Sequence, residues 1–258
     1  MIPKSVIFYL VNDNQVHLRR LYKSLDLLKE NFLKKYPYPV VFGHEGLSQD
    51  VVDEIKIHAP ENHYFYNVKF KIPDYPKEIL EKIPEKFKGH WDEGAFFSIG
   101  YRHMCRFFAG DMYKHKFFEN VKYFMRLDCD SYFTDVLDYD PFEQMVKYKR
   151  KYGYYGVEND MDYVIEGLYD KTTEFFGSNK TENRKNAMFQ THFEIVDIQW
   201  IKNSEYMKYY DFIEQTGNIY IKRWGDAPIK FQGLENILTQ NDYFLFHDLP
   251  YRHGGDYN

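Results

Sequence analysis

The feature that most constrains this fold is an alternation of strand-like and helix-like segments in the first seventy or so residues. Residues 6–11 (Val6-Ile7-Phe8-Tyr9-Leu10-Val11) form an apolar run of strand length, rich in β-branched and aromatic side chains. The run ends in Asn12-Asp13-Asn14, residues whose short side-chain oxygens suit them to accept from the free N–H groups of a helix's first turn. Leu18, Leu21, Leu25, Leu28 and Phe32 then recur at helical spacing until Tyr36-Pro37, where proline stops the helix. A second strand at 38–42, a helix capped by Ser48 and running through Ile57 to Pro60, and a third strand at 64–70 complete a β-α-β-α-β series. A helix between two strands supplies the long crossover that parallel strands need. The N-terminal part therefore predicts an α/β sheet with helices packed on it.

The remainder is less regular. Pro73, Pro76 and Pro84 mark a surface stretch, and residues 96–118 read as helix interrupted at Gly110. Residues 121–127 make a fourth strand that runs straight into Asp128-Cys129-Asp130. Pro141 opens a helix that Gly153 closes ahead of Tyr154 to Val157, residues 188–199 mix aromatic and β-branched with polar residues, and Ser204 begins a helix that ends before Gly217. No repeat, low-complexity tract or linker interrupts the chain, so one α/β domain over residues 1–258 is expected. The 25 Tyr, 23 Phe and 3 Trp provide the bulk for a substantial core. A net charge of −5 without any basic block argues against a nucleic-acid partner. No apolar run reaches the roughly 18 residues of a membrane helix, so no transmembrane segment is expected, and the opening run is too short for a signal peptide. Two cysteines, Cys105 and Cys129, cannot build a disulfide framework, which fits a soluble protein of a reducing compartment or a luminal domain cut from its anchor.

Asp128-x-Asp130 lies where an apolar strand becomes loop, the edge at which open α/β sheets bind ligands. Two carboxylates one residue apart repel, and a site that keeps both charged usually adds a cation. Hard oxygen donors suit Mn2+ or Mg2+, and such an ion can also bridge the oxygens of a diphosphate, as in nucleotide-sugar transferases with a D-x-D motif. The competing reading is a turn at Asp130-Ser131 with Asp128 merely solvated. No Gly-rich phosphate loop is present, which fits a donor whose charge is met by metal.

Five further segments carry a resemblance. They are the stretch from Phe32 through Tyr36-Pro37-Tyr38-Pro39 to Phe42, Gly100-Tyr101-Arg102-His103-Met104-Cys105-Arg106-Phe107, Thr191-His192-Phe193-Glu194-Ile195-Val196-Asp197, Arg223-Trp224-Gly225-Asp226-Ala227-Pro228, and His247-Asp248-Leu249-Pro250-Tyr251-Arg252-His253. In unbroken order from about residue 5 to the C-terminus, they resemble the fungal α-1,2-mannosyltransferases of glycosyltransferase family 15. The resemblance implies a GT-A-type nucleotide-sugar transferase fold, with a central mixed sheet flanked by helices. On this reading residues 1–130 are the nucleotide-binding half and 131–258 the acceptor and catalytic half. It also implies GDP-mannose as donor, a glycan or glycoprotein acceptor, Mn2+ as cofactor with Mg2+ as the substitute, and retention of the α configuration. Asp128 and Asp130 match the ends of the family's Glu-Pro-Asp metal motif, and His253 matches its other metal ligand. Glu194 matches the candidate nucleophile, and Tyr101 a tyrosine near the donor's sugar and phosphate. Asp226 is assigned to the sugar or phosphate side, with helix N-cap as its alternative, and Arg106 and Arg252 to the diphosphate, with surface ion pairs as theirs.

The chain departs from the family in three places. Val11-Asn12-Asp13 stands where the family has A-R-N, and His192 replaces the Asn before Phe-Glu-Ile. Ala187-Met188-Phe189-Gln190 replaces a C-H-F-W run, so Cys105 lacks that partner. The family's N-terminal anchor is missing as well, which implies a cytoplasmic enzyme if this is the full chain and a Golgi-luminal one if it is a catalytic domain. Two alternatives remain open from the sequence: a transferase that uses another nucleotide sugar, and a carbohydrate-binding relative without turnover. Glu194 sits between apolar neighbours, where a carboxylate must either face a polar cleft or pair with a cation; a structural pair with an arginine is the alternative to catalysis. Retention itself proceeds either through a nucleophile on the far face of the sugar or through same-face attack by the acceptor hydroxyl.

Overall fold

The computed structural model describes residues 4–88 and 96–257. Its centre is a seven-stranded sheet whose strands are β1 (Ser5–Leu10), β2 (Val40–His44), β3 (His63–Asn67), β4 (Tyr123–Leu127), β6 (Tyr152–Tyr154), β7 (Phe193–Asp197) and β8 (Tyr243–Leu245). Two shorter strands, β5 (Ser131–Phe133) and β9 (Tyr251–His253), pair with each other beside it. The order across the sheet is β8-β6-β7-β4-β1-β2-β3. Strands β3, β2, β1 and β4 run parallel. β7 is antiparallel to both β4 and β6, and β8 is parallel to β6, so a single reversed strand makes the sheet mixed.

The N-terminal expectation holds closely. Asn14 caps helix α1 (Gln15–Leu28), its side chain accepting from the N–H groups of Val16 and His17. The helix continues into one wider turn, Lys29–Leu33, before Pro37. Ser48 caps α2 (Gln49–His58), and Ser98 caps α3 (Ile99–Ala109), which Gly110 ends as expected. Ser204 caps α4 (Glu205–Gln215). Helix α5 (Asp226–Ile237) differs from the expectation: Gly225 occupies the cap position and Asp226 is the first helical residue. Residues Lys77–Leu80 form a short helix in the proline-rich stretch, and Leu168–Phe176 forms another, which the sequence reading did not pick out.

Strand alternation divides the core into two layers. In β1, Val6 and Phe8 join one cluster with α3, α4 and α5, while Ile7 and Tyr9 join a second cluster with α1. The same alternation in β4 and β7 puts Phe124 and Val196 on the α3–α5 side and Tyr123, Met125, Leu127, Phe193 and Ile195 on the α1 side. Arg126 and Glu194 are therefore the residues that fall on the α3–α5 side at the C-terminal end of β4, directly opposite each other in register. Two charged groups on an inward face require partners, and those partners build the site.

Candidate active site

β4 ends at Leu127, and a tight turn follows. The Asp128 N–H donates to Ser131 Oγ at 3.0 Å, and the Ser131 N–H donates to the Asp128 carbonyl at 3.0 Å. The turn feeds β5, on which β9 lies antiparallel with His253 opposite Ser131. This pairing brings the C-terminal histidine to the D-x-D motif. His253 Nε2 stands 3.3 Å from Asp130 Oδ1 and 3.8 Å from Asp128 Oδ2, with about a third or less of each side chain exposed. Neighbouring donors around one octahedral ion with bonds of about 2.1 Å lie about 3 Å apart, so the donor chemistry of the trio is that of a hard divalent ion while its His253 contacts are wider than that spacing. Among the described residues no three such groups close into a finished metal cage. Burial raises the Asp130 pKa, but the hydrogen bond and charge of His253, with help from Arg20, outweigh it and hold the carboxyl below its ordinary value.

His192 supports this edge. Its ring stacks on that of His253 with centroids 4.0 Å apart and planes 8° from parallel, and its Nδ1 lies 3.0 Å from the Tyr251 hydroxyl. Burial first, then the nearby His253, pushes the His192 pKa down to about 3, so the imidazole is neutral. His192, His253 and Arg252 line an open cleft of about 380 Å3 together with Glu158 and Gln190.

Behind the edge lies a chain of alternating charges. Arg126 donates from Nε to Asp128 Oδ1 at 3.0 Å and from Nη1 to Asp226 Oδ2 at 2.7 Å, with the Phe108 ring 3.8 Å beneath its guanidinium. Asp226 and Lys230 are four residues apart on α5 and so share one face. Lys230 Nζ lies 2.5 Å from Glu194 Oε1, and the Tyr152 hydroxyl donates to Glu194 Oε2 at 2.7 Å. Both Lys230 and Glu194 are fully buried. For Asp226, burial would raise the pKa, but Arg126 and Lys230 dominate and hold it below the ordinary carboxylate value.

The structure thus brings together Asp128, Asp130, His253, Arg126 and Asp226, with Glu194 one layer deeper. Glu194 is paired as the structural alternative anticipated, though with a lysine and a tyrosine instead of an arginine; both its oxygens are engaged. Tyr101 lies near Asp226 and accepts from Arg223 Nη2 at 2.7 Å. Arg252 points from β9 into the cleft and reaches the Asp256 carbonyl at 3.4 Å. Arg106 is not brought to the cluster. Met104 and Phe108 face Arg126 from α3, and a residue two positions from each points the other way. Arg106 instead binds Glu214 at 2.7 Å and Asp111 at 3.0 Å, the ion-pair alternative to its assignment to the diphosphate. Sequence reasoning missed Arg126, Lys230 and Arg223. A lone arginine inside the strand Tyr-Phe-Met-Arg-Leu and the Asp226/Lys230 spacing were the available signals.

The profile of the glycolipid 2-alpha-mannosyltransferase family matches residues 2–258. The chain belongs to this family. Among mannosyltransferase relatives, the chain is 28% identical over 260 residues to O-glycoside alpha-1,2-mannosyltransferase omh1 of Schizosaccharomyces pombe, covering 92% of this chain and 66% of that protein. It is 27% identical to the probable mannosyltransferase KTR4 of Saccharomyces cerevisiae, covering 97% and 60%. The chain thus spans less than two thirds of the length of these relatives. The crystal structure of core-mannan synthase A (CmsA/Ktr4) from Aspergillus fumigatus in its Mn/GDP form superposes with a TM-score of 0.82 at 22% identity, covering 97% of this chain and 74% of that one. Ktr4p from S. cerevisiae gives the same TM-score at 25% identity, covering 97% and 70%. The family member described here has the GT-A-type fold that the sequence resemblance implied, and among its described residues no helix is long and apolar enough to cross a membrane.

Proposed function

We propose that the chain is a retaining glycosyltransferase that moves mannose from GDP-mannose to a hydroxyl of a mannose-type or other glycan acceptor, forming an α-1,2 linkage with Mn2+ as cofactor. The observation that carries this reading is the convergence of Asp128, Asp130 and His253 at the C-terminal edge of β4, in a chain of a mannosyltransferase family. A fungal neighbour of the same fold was crystallised with Mn and GDP, which supports the choice of ion and nucleotide. In the reading, Asp128, Asp130 and His253 hold the ion, and Arg126 fixes the Asp128 carboxylate from behind. Bound there, a divalent ion would supply the positive charge that two phosphates need as the sugar–oxygen bond breaks.

The arrangement favours same-face attack by the acceptor hydroxyl over a double displacement. Glu194 is fully buried, with one oxygen held by Lys230 and the other by the Tyr152 hydroxyl, so neither faces an open cleft. Its role in this reading is to balance Lys230, so that Lys230 and Arg126 together keep Asp226 ionised at the sugar side.

Calorimetric titration with GDP tests the core of the proposal. Binding is expected to require Mn2+ and to be lost in Asp128→Ala and Asp130→Ala, with Mn2+ outperforming Ca2+ because an imidazole ligand suits a transition metal. GDP affinity that is unchanged with chelator present sinks it. Incubation with a panel of nucleotide sugars and Mn2+ then separates mannose transfer from another donor or from mere carbohydrate binding, by which nucleotide is released.

A further inference from the structure

His192 immediately precedes β7, and three segments of the edge meet on it. Its carbonyl lies within hydrogen-bond distance of the Asp128 N–H at 3.4 Å, of Ser131 Oγ at 3.2 Å and of the Tyr251 hydroxyl at 3.2 Å. Asp128 lies in the turn after β4, Ser131 begins β5 and Tyr251 begins β9. Any residue at position 192 could supply that carbonyl, so these contacts do not call for histidine. The ring does something further. It lies flat against the His253 imidazole, with centroids 4.0 Å apart and planes 8° from parallel, and against the Tyr251 ring at 5.6 Å and 15°. Nδ1, 3.0 Å from the Tyr251 hydroxyl, fixes the orientation of the ring in that stack.

His253 needs such a neighbour. It sits on the three-residue strand β9 with 34% of its side chain exposed. An imidazole that free can settle at several χ2 angles, since torsions of this kind have broad wells. In the structure its ring plane turns Nε2 toward the carboxylates, 3.3 Å from Asp130 Oδ1 and 3.8 Å from Asp128 Oδ2. Two flat rings 4.0 Å apart are close to van der Waals contact, so a His253 ring rotated out of that plane would drive its edge into His192. The His192 ring therefore restricts His253 to the orientation that serves the two carboxylates. The family has Asn at this position, and an amide offers no ring face to stack on.

We propose that His192 is a positioning residue: its ring holds the His253 imidazole in one plane, with Nε2 turned toward Asp128 and Asp130, and so raises the affinity of this edge for a divalent ion that accepts an imidazole ligand. This inference rests on the metal-site reading above and adds to it a residue outside the three ligands. Groups that orient a metal-bound histidine are typically worth about 10–100-fold in metal affinity. Mn2+ gains more from an imidazole than Mg2+, which suits oxygen ligands, so the effect should fall mainly on Mn2+. His192 acts through His253, and without His253 it should count for nothing.

The test is Mn2+ binding in the presence of GDP, read from the electron paramagnetic resonance signal of the free ion, with Mg2+ measured by competition and GDP without protein as the blank. Wild type, His192→Asn, His192→Phe, His253→Ala and the His192→Asn/His253→Ala pair are compared, alongside melting temperatures. His192→Asn is expected to lose about tenfold in Mn2+ affinity and no more than about twofold in Mg2+ affinity. His192→Phe keeps a flat ring and gives up only Nδ1, so it should stay within about threefold of wild type for both ions. In the His253→Ala background the Asn change should cost nothing further, because both changes act on one ligand. His192→Leu, also without a ring face, takes the place of His192→Asn with the same expected loss should the latter fold poorly. Equal losses for both ions, an undiminished affinity without the ring, a His192→Phe that loses as much as His192→Asn, or a further loss in the pair overturn the proposal. A wild type that binds no Mn2+ beyond the blank sinks the reading of the metal site and this inference with it. A wild type that binds Mn2+ and loses it in Asp128→Ala, with His192 variants off the expected pattern, sinks this inference alone.

Discussion

Replacing Lys230 by methionine keeps the length and apolar stem of the side chain and removes its charge, leaving Glu194 with only the Tyr152 hydroxyl. Both partners of the pair are 0% exposed, so water cannot compensate either one. Breaking a buried ion pair from one side typically costs about 3–5 kcal/mol, because the survivor is an uncompensated charge in a low-dielectric interior. For 258 residues, an unfolding entropy of about 2.1 cal/mol/K per residue gives about 0.5 kcal/mol per degree, so a loss of that size lowers the melting temperature by about 6–9 °C. Glu194→Gln is expected to fall by a similar amount, since it strands Lys230. The double variant Glu194→Met/Lys230→Met should recover most of the loss, although not all, because the Tyr152 hydroxyl would lose its acceptor at a cost of about 1–3 kcal/mol. Differential scanning calorimetry measures all three, and single-turnover transfer at a temperature where each variant is folded completes the comparison. In the folded Glu194→Gln variant the rate should stay within about tenfold of wild type. A variant with an unchanged melting temperature and a rate lower by two to three orders of magnitude, the scale lost with one charge-stabilising group, would refute the reasoning and return Glu194 to direct chemistry.

Acid should unfold the protein partly through Asp226. Its folded pKa lies below its ordinary value of 3.8, so its stabilisation is present above that value and is lost as pH falls through the lower folded one. The melting temperature should therefore decline below about pH 4, with a shallower slope in Asp226→Asn; an unchanged slope would remove Asp226 as a contributor. The buried Cys105 should stay unreactive toward alkylating agents at pH 8 until the protein unfolds, since burial pushes its thiol up to about 12. Intact mass spectrometry reads this, and a native mass two hydrogens light would reveal a disulfide instead. Gly233→Ala, although placed in the middle of α5 where alanine normally helps, should lower the melting temperature: its Cβ would lie 2.6 Å from two carbons of the Tyr209 ring. A rise in melting temperature would contradict that packing.

Much of this architecture was legible because local chemistry and long-range packing agree in the N-terminal part. Asn14 and Ser48 cap the helices that their positions predict, and the apolar runs of β1, β2 and β4 are buried on both faces as parallel strands are. The strands after residue 128 were harder to read for a physical reason. β5, β6, β8 and β9 are three residues each, too short to display a period of two, and they exist because distant partners hold them. The carboxylates were legible from their place after an apolar strand. Arg106 was not, since a basic residue in a helix has the same appearance whether it faces a ligand or Glu214. The partner of Glu194 was hidden for the same reason: Lys230 reads as an ordinary surface lysine until α5 is laid against β7.

The pairing of β5 with β9 sets a timetable. Ser131 and Tyr251, which bond side chain to side chain across these strands, are 120 residues apart in the chain. At synthesis rates of about 5–20 residues per second, the gap alone lasts about 6–24 s. Strands β1 to β4 lie within the first half of the chain and can assemble during that interval. The D-x-D carboxylates then wait at the edge of the four strands β3-β2-β1-β4, without the histidine. On the reading proposed above, the ion site is complete only once β9 has paired with β5 and brought His253 opposite Ser131.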